Sequence, residues 1–137
     1  VLAECLFPHV DVLSANDYRD TLFERIDDYA RPAGMPVLLS EFSWVSEYFT
    51  KRPQAGEPPG WTAIERMLGK GRAALQRAMT HPALVGYAWH RWNDQVGASP
   101  PFGPGLVHID DREAREHTEL LSDLNAHAER LRRTLAL

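Results

Sequence analysis

Cysteine is nearly absent from this chain: Cys5 is the only one in 137 residues. That excludes a disulfide framework within the chain and any zinc site built on cysteines. No apolar run approaches the roughly 20 residues of a membrane-spanning helix, and no charged-then-apolar leader opens the sequence. The net charge of −4 carries no basic stripe. The one cluster of cations, Arg130, Arg132 and Arg133, falls near the end of a helix, where the helix dipole favours them and a solvated face is the ordinary outcome. The footprint that nucleic acids require is therefore missing. Ser40 and Ser43 lack the Gly-x-Ser-x-Gly elbow of an esterase. His90, Asp94, His108 and Asp110 lack a ligand spacing such as two histidines one helical turn apart, so neither a metal nor a cofactor is expected.

What remains is an ordinary globular composition, 44% hydrophobic and 25% charged, enough for one single-domain core. Val1 to Leu6 reads as the last turns of a helix already under way, so the chain is expected to begin in mid-domain. Val10 to Asn16 is a short apolar run ending in polar residues, consistent with a strand that opens onto a loop. Asn16 or Asp17 can cap the helix that follows, in which Leu22, Phe23, Ile26 and Tyr29 recur at helical spacing until Pro32, Gly34 and Pro36.

The next segment is the most informative. Val37, Leu38 and Leu39 form an uninterrupted apolar run, as in a strand covered on both faces, and it delivers Glu41 beside Phe42 and Trp44. In parallel sheets the carboxyl ends of strands present the chemistry. Leu84 to Trp89 repeats the design, followed by His90, Trp92 and Asp94. Acid beside indole suggests a cleft that binds sugar. Thr62 caps a helix whose apolar stripe is Ile64, Met67, Leu68, Ala74, Leu75, Ala78 and Met79. Two loops, from Trp44 to Trp61 and from Asn93 to Gly105, are rich in proline and glycine, and loops of that length are often functional. Leu106 to Ile109 reads as a short extended piece. Asp110 or Asp111 then caps a final helix, with Glu113 and Glu116 in its first turns and a stripe of Leu120, Leu121, Leu124, Ala128, Leu131 and Leu135. His117 and His127 on that helix read as surface or edge residues. Strand and helix alternate throughout, which favours an α/β fold with a parallel sheet.

With these residues in place, the chain resembles the carboxyl-terminal part of a (β/α)8-barrel retaining glycoside hydrolase, of the clan that includes β-galactosidases, β-agarases and cellulases. The resemblance rests on Pro36 to Phe42, which fits the form Pro-apolar-apolar-Ser-Glu-aromatic, and on Gly86-Tyr87-Ala88-Trp89. The stretch from Trp89 to Gln95, with Gly105-Leu106-Val107 after it, is most similar to agarases and the related β-galactosidase families. His90 stands where those families usually have an aromatic residue.

The resemblance implies a partial TIM barrel in which residues 1–137 supply strands six to eight of one domain, the amino-terminal half being the missing partner. It implies Glu41 as the nucleophile and Trp89 as the platform for the reacting sugar. Asn16 and Tyr18 would approach the nucleophile from strand six. Trp44 and Trp92 either stack on sugar at the rim or staple a loop, and Asp94 meets a substrate hydroxyl or makes a structural bond. The substrate would be a carbohydrate of the β-galactoside or agarose type. Retaining hydrolysis needs two carboxyl groups, and the acid/base glutamate of strand four lies upstream of this chain, so the fragment alone is expected to be inactive. Two rivals stand beside this reading: a carbohydrate-binding or interaction module without catalysis, and a self-sufficient α/β domain in which Glu41 caps an element or pairs with an arginine.

Overall fold

The computed structural model describes residues 5–50, 62–94 and 105–133. Three strands, β1 (Leu13–Asn16), β2 (Val37–Phe42) and β3 (Leu84–Trp89), form one parallel sheet with β2 in the middle. Helix α1 (Leu22–Ala33) joins β1 to β2. A single turn, α2 (Glu47–Thr50), and a long helix, α3 (Ala63–Met79), lie between β2 and β3, and α4 (Arg115–Arg133) follows β3. The α/β alternation expected from the sequence is thus present, in three strands. No helix among the described residues is long and apolar enough to cross a membrane.

The helices build a core on one face of the sheet. Val37, Leu39 and Phe42 of β2 are fully buried against Leu22 and Ile26 of α1, Leu75 and Ala78 of α3, and Leu121 and Leu124 of α4. Leu38, on the other face, is only partly buried, and Ser14 and Asn16 of β1 are exposed. The expectation of a strand covered on both faces therefore holds for one face among the described residues, because all three long helices pack on the same side.

Of the three helix caps expected from the sequence, one forms and two do not. Thr62 and Glu65 form a reciprocal capping box, Thr62 N–H donating to Glu65 Oε2 at 2.8 Å and Glu65 N–H to Thr62 Oγ1 at 3.2 Å. Helix α1 starts after Thr21 with no side-chain cap, so neither Asn16 nor Asp17 caps it. Helix α4 starts at Arg115, and the carbonyl of Ala114 accepts its first amides, from His117 and Thr118. Asp110 instead holds Arg112 at 2.7 Å, and Asp111 adopts a positive φ of 63° in the preceding turn. Ile64, assigned to the apolar stripe of α3, is 57% exposed because it sits in the first turn, ahead of the contact with the sheet. Leu135, Trp61, the breakers between residues 51 and 60, and Gln95 with residues 96–104 lie outside the described residues.

Gly71 on α3 decides how the core closes. A Cβ there would lie 2.5 Å from Cδ2 of the Trp44 indole and 2.7 Å from its Cγ and Cε3. The ring cannot yield, since Trp44 is fully enclosed. Alanine gains about 1 kcal/mol over glycine as a helix former, but forcing a methyl into a packed core costs about 1–3 kcal/mol. Gly71→Ala is therefore expected to lower the urea midpoint with the slope unchanged; a higher midpoint would mean that α3 moves away from Trp44 without penalty.

Candidate active site

The site begins with a bulge in β2. Ala15 pairs with Leu39 and Asn16 with Glu41, so Ser40 is an extra residue in the ladder. Leu39 and Phe42 both face the helices although they are three apart, which leaves Ser40 and Glu41 together on the other face. Bulges near strand ends commonly re-aim a side chain in this way. Ser40 Oγ accepts from Ser14 Oγ at 2.7 Å and donates to Asn16 Oδ1 at 3.0 Å. Asn16 is thus tied to Ser40, one position short of Glu41.

Glu41 stands at the carboxyl end of the central strand, with both neighbouring strands fastened beside it. Asp17 N–H donates to the Glu41 carbonyl at 3.1 Å, and His90 N–H donates to the Phe42 carbonyl at 2.8 Å. These bonds bring Tyr18 and His90 to the carboxylate from opposite sides. The Tyr18 hydroxyl donates to Glu41 Oε1, and His90 Nε2 lies 3.9 Å from the same oxygen. The Tyr18 and His90 rings meet edge-on, 6.1 Å between centroids. Burial, the hydrogen bond to Glu41 and its charge push the Tyr18 phenol well above the usual tyrosine range, with Arg91 opposing. Tyr18 therefore keeps its proton and remains a donor to the carboxylate.

Tyr18 is itself held from behind. Ser46 Oγ donates to the Tyr18 carbonyl at 2.6 Å. Asp17, almost wholly buried, accepts from Arg19 N–H at 2.9 Å, Arg25 Nε at 3.2 Å and the Tyr29 hydroxyl at 2.9 Å. A buried carboxylate bonded this fully is a rigid post for the loop that carries Tyr18. Nothing local in the sequence separates this use of Asp17 from a helix cap, because two of its partners lie 8 and 12 residues away.

The tryptophans divide by depth. Trp89, at the end of β3, is partly buried and packs edge-on against Trp44 at 4.6 Å and Phe42 at 6.0 Å. Trp44 has no accessible surface. It is a core residue and not a rim residue, because the notch at Gly71, the ring of Phe42 and the imidazole of His117 enclose it. Its Nε1–H donates to His117 Nδ1 at 2.7 Å, so His117, expected at the surface or an edge, is partly buried at the edge of the core. Trp92 is 68% exposed. Asp94 makes structural bonds, accepting from Gly105 N–H at 3.2 Å and lying 3.2 Å from His108 Nδ1. Gly105 is required there, since a Cβ would collide with the backbone of Asn93, Asp94 and Val107. Among the described residues no three His, Cys, Asp or Glu side chains converge as metal ligands would.

One cavity lies to the side of Glu41, which is not among its lining residues. A groove of about 840 Å³ runs between β3 and α4, lined by Tyr87, Trp89, Leu106, Leu121, Asn125 and Arg132 among others. It follows the edge of β3 that has no strand paired to it among the described residues.

Two histidines, His81 buried and His117 partly buried, give the protein an acid limit. His117 accepts the Trp44 N–H, and His81 Nδ1 accepts the Ala83 N–H at 3.1 Å, so each is held as the neutral Nε2–H form. Burial lowers both pKa values; Arg132 adds to this for His81, and for His117 Glu116 opposes it while His108 adds to it. The unfolded chain protonates these rings near 6.5 and the folded one only at lower pH, so below about 6.5 the unfolded state binds more protons. Stability is thus expected to fall as pH drops from 6.5, by at most about 1.4 kcal/mol per pH unit for each ring. Denaturation midpoints at pH 8 and pH 5 measure it, and His117→Gln, which keeps an acceptor but cannot titrate, should flatten the difference. An equal difference in wild type and variant would mean that His117 has no part in it.

No protein-family model matches the chain, and no curated protein does. Solved structures do. One described as "Structure of PfGH50B" superposes with a TM-score of 0.70 at 17% identity, over 96% of this chain and 20% of its own. A second, described as "Structural analysis of an exo-beta-agarase", gives 0.70 at 18% identity over 96% of this chain and 18% of its own. A third, "The crystal structure of an agarase, AgWH50C", gives 0.63 at 19% identity over 96% and 19%. At these identities the likeness is one of fold: nearly the whole chain recurs as a unit spanning about a fifth of each solved chain.

Proposed function

We propose that this chain is the carboxyl-terminal part of a (β/α)8-barrel retaining glycoside hydrolase, with β1, β2 and β3 as strands six to eight and Glu41 as the nucleophile. The observation that carries the reading is Glu41 at the carboxyl end of the central parallel strand, with the Tyr18 hydroxyl donating to Oε1. The agarase descriptions of the structurally similar chains support the substrate class, a β-linked galactoside or a related polysaccharide.

In this reading Tyr18 fixes Oε1 and leaves Oε2 to attack the anomeric carbon as the glycosidic C–O bond breaks and the acid/base carboxyl protonates the departing oxygen. That carboxylate then takes a proton from water, whose oxygen displaces Glu41 from the glycosyl ester and restores it. The second carboxyl group, about 5–5.5 Å away in retaining enzymes, comes from strand four outside this chain. Trp89 forms the sugar platform, stiffened from below by Trp44, and Trp92 offers a further aromatic face at the rim. The groove along β3 is where the barrel continues.

A slow-turnover substrate tests the assignment. The complete barrel is incubated with an activated 2-deoxy-2-fluoro-β-galactoside and digested, and the labelled peptide is sequenced by mass spectrometry. The label is expected on Glu41. Turnover of the unsubstituted galactoside with the label on another carboxylate would reject the assignment, and sugar binding without hydrolysis would favour a binding module.

A further inference from the structure

Resting on the nucleophile assignment, we infer that His90 and Glu41 share one hydroxyl of the reacting sugar, the one on the carbon next to the anomeric centre, and that His90 makes the enzyme dependent on that hydroxyl. His90 Nε2 stands 3.9 Å from Glu41 Oε1. That is too long for a direct hydrogen bond, and it leaves room for one oxygen about 2.8 Å from each atom.

The two groups ask for complementary things of that oxygen. A carboxylate only accepts, and the Nε2–H of an imidazole donates. A hydroxyl is the group that gives a proton to one and a lone pair to the other. An ether or carbonyl oxygen has nothing to give Glu41, so the pair selects an alcohol.

The geometry also says which alcohol. Tyr18 already donates to Oε1, and His90 Nε2 faces the same oxygen. With Oε2 directed at the anomeric carbon, Oε1 lies beside the neighbouring carbon, and hydrogen bonds to that carbon's hydroxyl strengthen in the transition state of glycoside hydrolysis. His90 is built to stay in place: its N–H is bonded to the Phe42 carbonyl at 2.8 Å, and its ring rests edge-on against Tyr18. It is about one third exposed, as is Glu41, so both are open to a ligand from the same side.

The test crosses two variants with two substrates. The complete barrel carrying this chain is assayed as wild type, His90→Phe and His90→Gln, on an aryl β-galactoside and on its 2-deoxy counterpart. Phenylalanine keeps a flat ring without a donor; glutamine restores an N–H. On the galactoside His90→Phe is expected to lower kcat/KM about 10- to 100-fold, and His90→Gln to recover part of the loss. On the 2-deoxy substrate wild type should itself fall, and His90→Phe should cost less than about twofold more. Equal losses on the two substrates, or no loss on the galactoside, overturn the shared hydroxyl while leaving Glu41 in its role. Failure of the underlying assignment shows separately, as hydrolysis that survives Glu41→Gln.

Discussion

Replacing Glu41 with glutamine is expected to slow hydrolysis by the complete barrel about 10³-fold or more, with the protein still folded. Removing a covalent nucleophile takes away an interaction made with the reacting atoms themselves, and a 10³-fold loss corresponds to about 4 kcal/mol of transition-state stabilisation. Glutamine fits the same space, and its amide oxygen can still accept the Tyr18 hydroxyl. Glu41 is partly exposed, and its hydrogen-bond donor is the part-buried Tyr18 hydroxyl, which the glutamine oxygen still accepts. A fall in activity at an unchanged denaturation midpoint is therefore chemistry and not unfolding. Glu41→Ala sharpens the assignment: azide can enter the vacated space and attack the anomeric carbon directly, giving a glycosyl azide of inverted configuration. An active Glu41→Gln enzyme, or rescue that yields the retained product, would place the nucleophile elsewhere.

The strand that carries Glu41 was readable because its cause is local. Val37 to Leu39 has no polar residue to place, Pro36 and Gly34 precede it, and the first charge arrives where the sheet ends. The βα order and the Thr62 cap were readable for the same reason. The bulge at Ser40 was not, since a register slip is a relation between two strands and alternation in one strand does not reveal it. It is nevertheless what puts Ser40 and Glu41 on one face. Asp17 has the residue type of a cap, but its carboxylate accepts instead from Arg25 and Tyr29, which only the formed helix α1 brings to it. His117 is 73 positions from Trp44, and no periodicity on α4 distinguishes an imidazole that meets solvent from one that accepts an indole N–H. The depth of Trp44 was hidden for the same reason, the space that encloses it being made by a glycine on another helix.

Trp44→Ala is expected to destabilise the protein by about 3–5 kcal/mol, a large part of a typical domain's stability of about 5–15 kcal/mol. The indole is fully buried, meets Phe42 and Trp89 edge-on, and bonds His117. Truncation leaves a void between β2 and α3 and takes the donor from the partly buried His117 Nδ1, a loss of about 0.5–1.5 kcal/mol. Trp44→Phe keeps most of the ring and loses only the donor, so it should fall between wild type and alanine. A double-mutant cycle with Gly71 separates packing from everything else. Gly71→Ala alone clashes with the indole, but in a Trp44→Ala background the same methyl enters the void, so the two changes together should cost less than their sum. A rim tryptophan that touched only sugar would behave otherwise: Trp44→Ala would leave the midpoint alone, weaken sugar binding, and show no coupling to Gly71. Urea midpoints of the four proteins decide between these, and coupling would mean that Trp89, the proposed sugar platform, rests on the hydrophobic core through a single indole.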